Sequence, residues 1–220
     1  MTNALKAVLF DLDGTIVDTN ELIIQSFLHA LKGKVPEGFG RDHIIPSMGQ
    51  PLKDQLQQFS GLEDVAELTQ AYREYNYLKH DEMVSLFPGV AEVVKRLKEH
   101  GIKLGVVTTK MRPTTERALR MFGLFEHMDT IVTLDDVEHA KPHPEPVLKA
   151  MEAIGAEPEA TAMVGDSTVD MQSALRAGAM PIGVAWSLKG EAVLWDAGAE
   201  QVIERMEELL ALCGIEGAKA

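Results

Sequence analysis

Six short apolar runs, most of them ending in polar residues, set the frame of this chain: "AVLF", "KLGVVTT", "TIVT", "TAMVGD", "PIGVAW" and "QVI". A strand with one wet face alternates apolar and polar residues. These runs are apolar at consecutive positions, so both of their faces have to be covered. Between the later runs lie amphipathic helical patterns, "VAEVVKRLKEHG", "RPTTERALRMFG", "PEPVLKAMEAIG" and "TVDMQSALRAG". Strands and helices in alternation predict an α/β fold, a Rossmann-like parallel sheet with helices on both faces. The punctuation agrees, with Pro113 in a first turn and Gly101, Gly123, Gly155 and Gly178 just past helix ends.

The stretch 18–84 breaks this rhythm. It has no good strand and reads as consecutive helices in "NELIIQSFLHALKG", "DHIIPSM", "PLKDQLQQF" and "EDVAELTQAYREYNYLKHDE". Asp18 with Glu21 three residues later predicts a capping box at the first of them. The expectation is a helical cap domain, 18–84, inserted after the first strand. An α/β core domain, 1–17 and 85–220, then carries the catalytic site. A chain of 220 residues, 45% of them hydrophobic, is long enough for such a core and insertion.

The formal net charge of −13 argues against nucleic acid and anionic membranes as partners, since both need basic patches. A small phosphate compound remains compatible, because a few local cations can outweigh the global field. The single cysteine, Cys213, excludes an internal disulfide and fits a reducing compartment, where it reads as a small apolar residue on a C-terminal helix. No run is long enough to span a bilayer, and "MTNALKAVLF" lacks a cleavable leader pattern. The expectation is a soluble, cytoplasmic protein acting on a small-molecule phosphate, with no obligate protein partner.

In an open parallel sheet, ligands bind beyond the carboxyl ends of the strands, so the polar residues ending the apolar runs should converge. Asp11 and Asp13 follow the first run, and a spacing of two puts both on one side of an extended backbone. Carboxylates held that close repel unless a cation lies between them. Thr108, Thr109 and Lys110 follow the second run, Lys141 lies in "HAKPHPEP", and Asp166 ends "TAMVGD", with Asp170 four residues on. Such an oxygen-rich set suits Mg²⁺, a hard cation. A transition-metal site is not expected: the histidines form no HExxH pattern, and Pro142 prevents His139 and His143 from sharing a helix face.

"DLDGTIVDT", "VVTTK", "AKPHPEP" and "GDSTVD" resemble, in order, the four motifs of the haloacid dehalogenase superfamily of phosphohydrolases, and the resemblance covers essentially the whole chain. One departure is His143, where relatives often carry an acid. The resemblance implies that Asp11 attacks phosphorus to give an aspartyl phosphate, while Asp13 protonates the leaving oxygen and then deprotonates water. It implies that the Asp11 carboxylate, the Asp13 backbone carbonyl and Asp166 hold Mg²⁺, with Asp170 orienting the metal's shell. Thr108, Thr109 and Lys141 would then bind the phosphoryl oxygens.

The longer segments "NELIIQSFLHAL", "YREYN", "VTLDDVEHAKPHPEPVL" and "GVAWSLKG" resemble the PpaX-type bacterial inorganic pyrophosphatases within that superfamily. This implies Mg²⁺-dependent hydrolysis of pyrophosphate. The alternative is a phosphatase of a small organic monoester such as phosphoglycolate. Candidates for choosing the substrate are Lys110, Asn20 beside the first helix, and Arg73, Asn76 and His80, whose spacing places them on one helical face. A phospho-accepting signalling domain also uses Asp, Thr, Lys and Mg²⁺, but needs neither Asp13 nor a helical insertion.

Overall fold

The computed structural model describes residues 4–215; the outermost ends of the expected core domain, 1–3 and 216–220, lie outside the described residues. The first apolar run forms β1 (Ala7–Phe10), all four residues buried. After β2 (Val17–Asp18) come four helices, α1 (Asn20–Ala30), α2 (Arg41–Ile44), α3 (Leu52–Ser60) and α4 (Ala66–Met83), then β3 (Ser85–Leu86). The remainder alternates: α5 (Val90–Glu99), β4 (Lys103–Val107), α6 (Arg112–Met121), β5 (Thr130–Val132), α7 (Glu145–Ile154), β6 (Thr161–Gly165), α8 (Thr168–Ala177), β7 (Met180–Val184), α9 (Glu191–Asp196), β8 (Gln201–Ile203) and α10 (Glu208–Leu212).

The six apolar runs form one parallel sheet in the order β5-β4-β1-β6-β7-β8. β1 lies inside it, with Leu9 level with Gly105 on one side and Met163 on the other. Successive side chains go to opposite faces. Val8 and Phe10 join Val106 and Val164 in a core completed by α5, α6 and α10, whereas Leu9, Val107 and Met163 pack with α7 and α8. This explains the unbroken apolar runs, because each position meets one of two cores. Phe10 is completely buried, so its truncation to alanine costs about 3–5 kcal/mol.

The chain leaves the sheet and returns to it through one short antiparallel ribbon, with Val17 paired to Leu86 and Asp18 to Ser85. Two-residue strands leave no periodic trace, and the sequence reading found none here. Between these crossings the helices build their own apolar cluster around Ile24, Phe27, Leu31, Ile44 and Leu56. Phe27 meets Phe59 edge to face at 5.4 Å, a favourable arrangement of the two ring quadrupoles.

The expected capping box is corrected. Thr19 is the N-cap of α1 and makes no side-chain cap bond; Asp18 Oδ1 accepts the Asn20 N–H at 3.2 Å instead. Glu21 is drawn away by Gln25 at 2.7 Å and by Arg41 of α2 at 2.8 Å. Among the described residues, no helix is long and apolar enough to cross a membrane.

Candidate active site

The carboxyl ends of β1, β4 and β6 bring the expected residues together. Asp11 directly follows β1, and its N–H donates to Val164 O of β6 at 2.8 Å, which fixes the residue to the sheet. The chain then turns tightly: Leu12 O accepts from Ile16 and Val17, and Gly14 N–H donates to Val17 O at 2.9 Å. Gly14 has φ +80°, and a Cβ there would stand 2.8 Å from Asp166 Oδ2. Both facts require glycine, one for the turn and one for the approach of the Asp166 carboxylate.

Asp11, Asp166 and Asp170 are buried, and each offers an oxygen to a cluster less than 4.8 Å across. Lys141 Nζ donates to Asp11 Oδ1 at 2.8 Å, Asp170 Oδ1 at 2.6 Å and Val107 O at 2.9 Å. Its three N–H groups are thereby matched to three acceptors. Asp170 spends its other oxygen on Ser167, accepting from the backbone N–H at 3.0 Å and from Oγ at 2.5 Å. Asp170 therefore holds Lys141 and caps α8, and Asp11 and Asp166 remain the carboxylates open to a cation.

Sequence reasoning missed Lys189, whose Nζ reaches Asp166 Oδ2 at 3.1 Å and is nearly as buried as its partner. The signal was weak, since Asp166 directly follows β6 whereas Lys189 lies five residues beyond the end of β7.

Three buried carboxylates facing two ammonium groups are under-neutralised. Burial, followed by the charges of Asp170 and Asp166, raises the Asp11 carboxyl to about 8 against the opposing pull of Lys141. Burial likewise raises Asp166, with Lys189 opposing it and Asp170 adding to it. For Lys141, burial disfavours the charge, but Asp11 and Asp170 outweigh it and hold the ammonium above its ordinary range. A charge-poor, all-oxygen donor set of this kind fits a hard divalent cation.

Above the cluster lies a cavity of about 480 Å³ between the sheet end and the helical segment. Asp11, Asp13, Thr108, Thr109 and Lys110 form its floor, and Ile23, Phe27, Met48, Leu52, Tyr72 and Arg73 line the opposite side. Asp13 is partly buried, and both its oxygens take Lys110 Nζ, at 2.9 and 3.1 Å. Tyr72 faces it: burial first, then the Asp13 charge, raises the phenol above its ordinary range. Thr108 Oγ1 accepts the Lys110 N–H at 3.2 Å, and Thr109 Oγ1 donates to Gly49 O of the helical segment at 3.1 Å.

The other specificity candidates divide. Arg73 lines the cavity with its guanidinium 3.4 Å from Met111 Sδ. Asn76 touches the cavity but is buried and donates to Ser26 Oγ of α1 at 3.2 Å, a bond between helices. His80 is buried outside the cavity lining, with Nδ1 2.8 Å from Asp81 and Nε2 without a partner among the described residues. Asn20 opens α1 and is also outside the lining.

As expected, His139 and His143 share no helix face, but they are close neighbours all the same. No helix is involved; the turn around Pro142 stacks the two rings with centroids 4.6 Å apart.

A family model described as haloacid dehalogenase-like hydrolase matches residues 8–184. The chain is 44% identical over 210 residues to a protein of Bacillus cereus strain AH820 named pyrophosphatase PpaX, covering 94% of this chain and 96% of that one. It is 43% identical over 212 residues to the pyrophosphatase PpaX of Halalkalibacterium halodurans, covering 96% and 98%. Among solved structures it is similar to CbbY from Rhodobacter sphaeroides in complex with phosphate, with a TM-score of 0.80, 26% identity, and 96% and 99% of the two chains covered. The sheet order, the converging aspartates and these matches agree: the chain belongs to the haloacid dehalogenase-like hydrolases.

Proposed function

We propose that this phosphate-hydrolysing enzyme cleaves inorganic pyrophosphate to two phosphates, with Asp11 as nucleophile and Asp13 as proton carrier. The observation that carries the reading is the placement of two cations around one reaction centre: Lys141 beside the Asp11 carboxylate and Lys110 over Asp13. The 43–44% identity to proteins named pyrophosphatase PpaX supports the same substrate.

In the first step an Asp11 oxygen forms a bond to phosphorus while the bond from phosphorus to the bridging oxygen breaks. The bridging oxygen leaves as phosphate with a proton from Asp13. In the second step Asp13 takes a proton from water, whose oxygen attacks the same phosphorus and restores the Asp11 carboxylate. Atoms and charge balance as pyrophosphate plus water giving two phosphates. Thr108 would face the non-bridging oxygens, and the Lys141 ammonium, fixed by three acceptors, supplies a preorganised positive charge beside them.

Asp11 and Asp166, with the Asp13 backbone carbonyl, are the residues that would hold Mg²⁺, with Asp170 behind them. A bound Mg²⁺ supplies the positive charge that lets an anionic carboxylate approach an anionic phosphate. Residues 18–84 act as a cap that shields the centre from water, and Tyr72 and Arg73 of α4 are among the residues it turns toward the cavity. The lone, buried Cys213 suits a cytoplasmic site of action.

A second reading draws on the cavity wall. Ile23, Phe27, Met48 and Leu52 are apolar, and such a wall fits the carbon skeleton of a small phosphomonoester such as phosphoglycolate. Phosphate release from pyrophosphate, phosphoglycolate and an aryl phosphate, measured side by side with Mg²⁺ and with chelator, decides between the two. The expected result is Mg²⁺-dependent turnover with kcat/KM for pyrophosphate at least about tenfold above phosphoglycolate, roughly 1.4 kcal/mol at the transition state. A preference for phosphoglycolate hands the assignment to the second reading. Full activity after exhaustive metal removal refutes the Mg²⁺ assignment.

A further inference from the structure

The segment that delivers Lys141 also carries a group of metal-ligating side chains for which the hydrolytic reaction has no use. His139 precedes Lys141 by two residues, His143 follows it by two, and Glu145 is the first residue of α7. One ligand atom from each lies within 4.8 Å of the other two. His139 Nδ1 is 3.1 Å from Glu145 Oε2, and His143 Nδ1 is 4.0 Å from the same oxygen. The rings are stacked at an interplanar angle of 30°, so both present their Nδ1 edges toward one carboxylate.

The carboxylate is itself fixed. Glu145 Oε1 accepts the Glu138 N–H at 2.9 Å and Oε2 accepts the His139 N–H at 3.0 Å. Two imidazole nitrogens and a carboxylate oxygen are a donor set that Zn²⁺ accepts, with water completing a tetrahedron. At metal–ligand distances of about 2.0–2.2 Å, neighbouring ligand atoms of a tetrahedron stand about 3.3–3.5 Å apart. The 3.1 and 4.0 Å separations bracket that spacing, so these exposed or half-exposed side chains need shifts of under about 1 Å.

We propose that His139, His143 and Glu145 form a site for a borderline divalent cation, with Zn²⁺ as its first candidate, separate from the oxygen-rich cluster at Asp11 and Asp166. The ion takes the place of the proton shared between His139 Nδ1 and Glu145 Oε2. It also displaces the 3.2 Å bond from the Glu145 N–H to His143 Nδ1. Mg²⁺ does not compete, since it prefers an octahedron of oxygens. Occupancy ties residue 139 to residues 143 and 145, and so fixes both ends of the stretch that carries Lys141.

The test is Zn²⁺ binding to the full chain under saturating Mg²⁺, followed by competition with a chromophoric chelator. Co²⁺ serves as a visible-absorption probe of nitrogen ligation. The expected result is one Zn²⁺ per chain with a dissociation constant below about 10 µM, weakened at least about tenfold in His139→Ala and in His143→Ala. Asp166→Asn should leave that binding intact, which separates this site from the catalytic cluster and keeps the result independent of the hydrolase reading. Should either histidine variant unfold, His139→Asn and His143→Asn, which keep polar groups on this exposed turn, replace it. Absence of Zn²⁺ binding by the Mg²⁺-saturated wild type, wild-type affinity in both histidine variants, or loss of binding in Asp166→Asn overturns the proposal.

Discussion

Lys110 Nζ lies 2.9 and 3.1 Å from the two carboxylate oxygens of Asp13, so the cation best placed to meet a second phosphoryl group is held by the residue assigned to carry the proton. A distal phosphate that draws Lys110 away also releases Asp13. On the proposed mechanism, one event would supply both a substrate contact and a working acid.

That coupling predicts a substrate-selective effect. Lys110→Met keeps much of the side-chain volume and removes the charge. It should lower kcat/KM for pyrophosphate at least about tenfold more than for an aryl phosphate, a difference of about 1.4 kcal/mol. Steady-state phosphate release with both substrates checks it, and equal losses would remove Lys110 from substrate choice.

Asp13→Ala should expose the leaving group. An alkoxide needs protonation more than a departing phosphate does, so the variant should lose more activity toward an alkyl phosphate than toward pyrophosphate. The measurement is the ratio of kcat values for the two substrates in wild type and variant. An unchanged ratio counts against Asp13 as the acid.

The raised Asp11 carboxyl makes metal-free stability depend on pH. The unfolded carboxyl ionises near about 4. The folded one keeps its proton up to about 8, because burial, Asp170 and Asp166 oppose its charge. The folded state therefore binds more protons across that window, and stability falls as pH rises through it. Burial lowers His80, so its contribution changes only below about pH 6.5, which leaves the interval from about 6.5 to 8 to the carboxylates. Denaturation in chelator should show stability falling there by up to about 1.4 kcal/mol per pH unit, with a flatter profile in Asp11→Asn. The same variant should show only background hydrolysis while remaining folded. A flat wild-type profile would refute the buried-carboxyl argument.

Cys213 should be inert in the native protein. Burial pushes its thiol up to about 12, so at pH 8 only about one molecule in ten thousand carries the thiolate. An aromatic disulfide reagent should label native protein negligibly and denatured protein at once. Rapid native labelling would show that the C-terminal packing around Cys213 opens easily.

The sheet was legible because its strands are buried on both faces, which writes them as unbroken apolar runs. The core of the site followed from where those runs end: Asp11, Asp13, Thr108 and Asp166 all stand at strand ends. What escaped depends on the other side of each contact. Helical spacing placed Arg73, Asn76 and His80 on one face, but only Ser26 on α1 decides that Asn76 turns inward. Lys189 lies five residues past the end of β7, in the loop before α9, so the strand-end rule did not reach it. The stacking of His139 on His143 is set by the turn around Pro142, and no residue periodicity encodes a turn's path.

The two-stranded ribbon has a mechanical consequence. Because Val17–Leu86 and Asp18–Ser85 are paired neighbours, the two covalent crossings between the sheet and the helical segment run side by side as one narrow ribbon. Pairing restrains the two crossings relative to each other, which two unpaired linkers would not do. The turn holding Asp13 is stitched to that ribbon by the bond from Gly14 N–H to Val17 O, while Asp11 is pinned to β6. The two aspartates, two residues apart in the chain, are thus held from different sides, Asp11 by the sheet and the Asp13 turn by the ribbon.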